Sequence, residues 1–63
     1  MENKVVAVEI SKIQDAVIML EAVGLANVYQ LRMAGFSRRQ CEAAVRRGEL
    51  AWESDGSLTA LAS

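Results

Sequence analysis

Three times in this chain a helix-capping residue stands three positions before a glutamine, and each time a glycine follows within a short helix's length. The tetrapeptides are Ser11-Lys12-Ile13-Gln14, Asn27-Val28-Tyr29-Gln30 and Ser37-Arg38-Arg39-Gln40; the glycines are Gly24, Gly35 and Gly48. A Ser or Asn oxygen accepts from an orphan amide of the first helical turn, while the glutamine reaches back to the cap's own amide. Glycine tolerates the left-handed backbone that closes a helix. These signals predict helices over residues 12–23, 28–34 and 38–47.

Apolar spacing supports the same division. Ile13, Ala16, Val17, Leu20 and Val23 recur at helical intervals and form the expected core face of the first helix, which Ile18, Met19 and Ala22 widen. The second helix has Val28, Leu31 and Tyr29 as inward candidates. The third has Cys41, Ala44 and Val45, with Phe36 stapling it just before its cap. The β-branched run over residues 4–10 predicts a short N-terminal strand. At the other end, Asp55-Gly56 lies between two apolar stretches and signals a hairpin over residues 50–61 with a two-residue turn. Together these predict one domain over residues 1–63, mostly α with a small β-sheet.

A chain of 63 residues buries only about 60% of its unfolded surface, so something must supplement its core. One cysteine and no histidine rule out an internal disulfide and the common metal sets. Tight helix packing or self-association remains, and a hydrophobic content of 52% supports both. Cys41 suits a reducing compartment. No apolar run approaches the roughly 20 residues of a membrane span, and the N-terminus lacks a secretion signal. A cytoplasmic protein without membrane contact is expected.

Net charge is −1, unevenly distributed. Residues 32–47 carry five basic residues against one acid, Glu42, and are locally +4. The remainder carries two lysines against seven acids and is −5. Such asymmetry bears on partners rather than on fold.

The segment Leu31–Val45, LRMAGFSRRQCEAAV, resembles the helix-turn-helix pattern, with Leu31, Gly35, Ser37, Cys41 and Ala44 or Val45 in its characteristic places. With the hairpin added, residues 11–61 resemble the winged helix-turn-helix family of small bacterial, phage and plasmid regulators. The SRR…RRGEL run is also similar to excisionase-type and MerR-type DNA-binding modules. Cys41 and Ala44 are smaller than the residues usual at those positions, and Gly48 ends the third helix early.

The resemblance implies a three-helix domain with a hairpin wing, acting as a transcription regulator such as a repressor. It places the third helix in the major groove of double-stranded DNA, with Ser37, Arg38, Arg39, Gln40, Glu42 and Ala43 toward bases. Arg32, Arg46 and Arg47 would contact phosphate. A homodimer doubles the basic patch, and Val5, Val6, Val8 and Ile10 are its candidate contact because an apolar strand otherwise leaves an exposed edge. Arg46 and Arg47 also suit the negative end of a helix dipole. The wing tip, residues 54–57, carries Asp55 and no cation.

Two other partners fit parts of the pattern. AGFSRRQCEAAVRRGEL is similar to small S4-type RNA-binding modules, and an acidic first helix and wing would suit a basic protein partner. Trp52 either closes its strand over the helices or stacks on a base. Cys41 has no histidine to activate it, Met19 and Met33 are expected to pack, and no catalytic carboxylate pair, metal set or Gly-rich phosphate loop is present. No enzymatic activity and no cofactor are expected.

Overall fold

A computed structural model describes residues 11–61. Three helices, α1 (Lys12–Glu21), α2 (Val28–Met33) and α3 (Arg38–Arg46), precede an antiparallel hairpin of β1 (Leu50–Trp52) and β2 (Leu58–Ala60). This is the small α+β fold expected from the sequence. The expected strand over 4–10 and the contact residues Val5, Val6, Val8 and Ile10 lie outside the described residues.

The caps form as their chemistry requires. Ser11 and Ser37 each accept from the N–H three residues on, and Gln14 and Gln40 return the bond to the cap's amide. Asn27 accepts from the Gln30 N–H at 2.9 Å, without the reciprocal bond. All three helices end alike. Leu25, Phe36 and Glu49, each directly after a glycine, donate to the carbonyls of Leu20, Leu31 and Ala44 at 2.8, 2.8 and 2.9 Å. That six-to-one bond requires a left-handed residue just before it, and Gly35 supplies φ 101° at the tight turn between α2 and α3.

The regular helices stop short of the expected boundaries, because each last turn tightens before its glycine. Val23 donates three residues back, to the Leu20 carbonyl at 3.2 Å, so α1 ends at Glu21. Val23 consequently turns to solvent and is 67% exposed rather than in the core. Ala34 and Arg47 are likewise caps beyond α2 and α3. Tyr29, expected inward, is 66% exposed, and Met19 and Met33 also lie outside the core.

The hairpin pairs Leu50 with Ala60, Ala51 with Thr59 and Trp52 with Leu58. Its loop has three residues, not two. Glu53 donates to the Ser57 carbonyl at 2.8 Å, and Gly56 donates to the Glu53 carbonyl at 3.0 Å. Only Gly56 takes positive φ, at 88°. Asp55 instead spans the turn with its side chain, accepting from the Ser57 N–H at 3.0 Å and hydroxyl at 2.6 Å. The mirror-image turn proposed from Asp-Gly needs positive φ at both residues. Asp55's side-chain bonds hold a different turn.

Ile13, Val17, Ala26, Leu31, Cys41, Ala44, Leu50 and Leu58 form the core, with Ala16, Leu20, Val28, Phe36, Val45 and Ala60 packed around it. The loop before α2 joins the sheet edge through one bond, Leu58 N–H to the Ala26 carbonyl at 2.7 Å. Gln14 is the buried polar side chain, 5% exposed. Beyond its capping role, its amide donates to the carbonyls of Glu49 and Leu61, both at 2.9 Å. It thereby fastens the start of α1 to the end of the α3 turn and the end of β2. No described helix is long and apolar enough to cross a membrane.

Candidate nucleic-acid interface

The arginines are sorted by the side of α3 on which they fall. Cys41 and Ala44 are fully buried, which fixes the inner side of the helix. At about 100° per residue, Arg39 and Arg46 then lie on the opposite, outermost crest. They are seven residues apart, two turns or about 10 Å along the axis. Both are exposed, and neither is in a salt bridge among the described residues. Arg32, in the last turn of α2, is also exposed.

One flank of α3 faces the N-terminus of α1. Gln40, Ala43 and Arg47 line a shallow groove there with Ile13 and Phe36. Gln40 is committed to the cap, its Oε1 accepting from the Ser37 N–H at 2.8 Å, and Ser37 Oγ accepts from the Gln40 N–H at 3.1 Å. Arg47 donates to the two oxygens of Glu49 at 3.1 and 2.9 Å. Its guanidinium holds the Glu49 carboxyl below the ordinary range, helped by the Ser11 hydroxyl at 3.1 Å. Of the residues expected at phosphate, Arg47 is therefore already paired within the free protein, while Arg32 and Arg46 have no acidic partner among the described residues.

The other flank meets the hairpin. Arg38 Nε donates to Glu42 Oε2 at 3.2 Å, and the Arg38 guanidinium lies over the Trp52 ring, 5.8 Å from its centroid. Strand alternation puts Trp52 on the same sheet face as Leu50, and its partner Leu58 is buried. The core ends before reaching Trp52, so the ring stays 40% exposed beside the first turn of α3. It neither closes fully over the helices nor stands free.

Arg38 and Arg39 occupy the first turn of α3, which itself holds no acidic residue. Cations at that end oppose the helix dipole, which favours anions there by roughly 0.3–1 kcal/mol each. By contrast α1 carries Asp15 in its first turn. Two arginines at the wrong end of a dipole are a local cost, and such costs are expected at functional sites.

The sequence assigns Gln14 its cap but not its bonds to Glu49 and Leu61, and it singles out no role for Glu49, although the Arg47-x-Glu49 spacing is visible. The Arg38–Glu42 spacing of four was equally legible, but the Trp52 contact spans elements and left no local mark. Cys41 is buried on the inner side of α3, and that burial pushes its thiol pKa up, outweighing the opposite pull of the nearby Arg38 charge. Carboxylates gather elsewhere, where Glu21, Glu53 and Asp55 line an open cleft between the end of α1 and the hairpin tip.

No protein-family model matches the chain, and neither the curated proteins nor the solved structures contain a match.

Proposed function

We propose that the chain is a small regulator that binds double-stranded DNA in a sequence-specific manner, with α3 in the major groove and two copies acting together. The observation that carries this reading is the Arg39–Arg46 crest. Two exposed arginines stand on the outermost line of a helix, and one of them opposes the dipole of its own N-terminus. A helix about 10–12 Å across its side chains fits a major groove about 12 Å wide, and the nine residues of α3 run about 13 Å along it.

Arg39, in the first turn, is the residue for a bidentate contact to guanine. Arg46 and Arg32, both exposed, are the residues assigned to phosphate. In an unbound copy Ser37 and Gln40 serve the cap rather than bases. Asp55, Glu53 and Glu21 give the hairpin tip a charge that does not favour DNA, so affinity of one copy is low and a dimer is needed.

Selection from a random duplex library, run beside a single-stranded RNA library at the same salt, tests the proposal. Enrichment of a common duplex motif, lost in Arg39→Ala, is the expected result. A folded wild-type chain that retains no duplex at low salt would overturn it, and enrichment from the RNA pool alone would redirect the reading to RNA.

A further inference from the structure

We infer that Glu42 reads a cytosine, and that Trp52 and Arg38 are the residues that position it for this. The inference rests on the duplex-binding reading above and assigns part of its specificity. Its starting point is the acid of the basic segment. A carboxylate beside phosphates is repelled unless it has a base partner, and cytosine N4 is the amino group that carboxylates accept from in the major groove. Glu42 lies between the outer crest and the hairpin flank of α3, only half-buried, next to the line of Arg39 and Arg46.

Its carboxylate has a partner on its own helix. Glu42 Oε2 accepts from Arg38 Nε at 3.2 Å, which leaves Oε1 without a bond among the described residues. Arg38 in turn is held against the Trp52 ring at 5.8 Å. The three side chains thus form a line from the hairpin toward the helix crest, in which the guanidinium lies over the indole and donates to the carboxylate. Arg38 also neutralises Glu42 locally and so lowers the repulsion as the helix approaches DNA.

A merely stabilising ion pair accounts for the arrangement less well. Arg preceding Glu at a spacing of four is the weaker orientation on a helix, and Arg38 sits at the dipole's positive end. The pair contributes little to α3, whereas an oriented carboxylate at the groove has a use.

The test takes the duplex motif selected by the wild-type chain and replaces each base pair in turn. The wild type is expected to show one position in each half-site where cytosine is preferred by about tenfold or more. Glu42→Ala should level the four bases at that position while binding unrelated duplex at least as tightly as before, because it removes a negative charge. Trp52→Leu, which keeps bulk and loses the aromatic face, should weaken the cytosine preference several-fold with an unchanged salt dependence; Trp52→Phe should restore it. In the protein alone, Arg38→Ala should shift the emission of Trp52, the chain's one tryptophan, and Arg46→Ala should not.

A wild-type motif whose preferences are untouched by Glu42→Ala overturns the inference. So does a folded Trp52→Leu chain with the full cytosine preference. Neither result disturbs the duplex-binding reading, which fails only if the wild type binds no duplex; in that case the emission shift still reports the Trp52–Arg38 contact.

Discussion

Glu49 joins more of the molecule than any other single residue in the described chain. Its N–H closes the turn after α3, its carbonyl receives Gln14 and Leu61, and its carboxylate receives Arg47 and Ser11. Arg47 and, secondarily, Ser11 depress its pKa in the folded state. In the window between the folded and unfolded values the unfolded chain binds more protons, so stability rises with pH there. The contribution is complete above the unfolded value, about 4.3 for Glu, and is lost as pH falls through the lower folded one. Urea denaturation across pH 7 to 3 should therefore show a smaller acid loss in Glu49→Gln than in wild type. Asp55, depressed by its bonds from Ser57, contributes in the same direction and remains in both proteins. An equal loss in the two chains would remove Glu49 from this role.

Among the elements, α3 sets stability against use. Its capping box and glycine closure are complete, yet its first turn carries two cations and no acid. Replacing Arg39 with Glu aligns charge and dipole, and should raise the unfolding free energy by about 0.3–1 kcal/mol while abolishing duplex binding. Thermal denaturation and a binding titration on the same sample would check both halves. A destabilised Arg39→Glu chain would mean that Arg39 has a folded-state partner. The capping signals at Ser11, Asn27 and Ser37 made all three helices legible, because both ends of a helix are governed by bonds within a few residues. The hairpin was legible only in outline. Whether Asp55 rotates its backbone or spends its carboxylate on Ser57 depends on the loop it closes.

For the whole molecule, charge placement sets the expected salt response. Arg32, Arg39 and Arg46 are the arginines without an acidic partner among the described residues, and Arg38 and Arg47 are paired. Arg39 is assigned to a base, so two phosphate-directed charges, Arg32 and Arg46, give a log–log salt slope of about −1.8 per copy, and about −3.6 for two copies on one site. Arg46→Ala should reduce the slope by about 0.9 per copy, whereas Arg47→Ala should leave it nearly unchanged. A filter or anisotropy titration at several salt concentrations measures this. Equal effects of the two substitutions would mean that Arg47 leaves Glu49 on binding. The apolar residues Val23, Tyr29, Met19 and Met33 that stay exposed were expected inward, since spacing alone does not show where a small core runs out.

The order of three helices and a hairpin, the α+β class and the basic character of the third helix were all determined by the sequence itself. Each depends on interactions between residues near in the chain: caps, glycine closures, apolar spacing and local charge. The tertiary structure alone decided that Gln14 ties Glu49 to Leu61, that Glu49 meets Ser11 and that Trp52 lies beside Arg38. Those outcomes depend on side chains brought together from distant segments, as when Gln14 meets Leu61 and Arg38 meets Trp52. Local pattern carries no record of such meetings, because they exist only once α1, α3 and the hairpin have packed on one core.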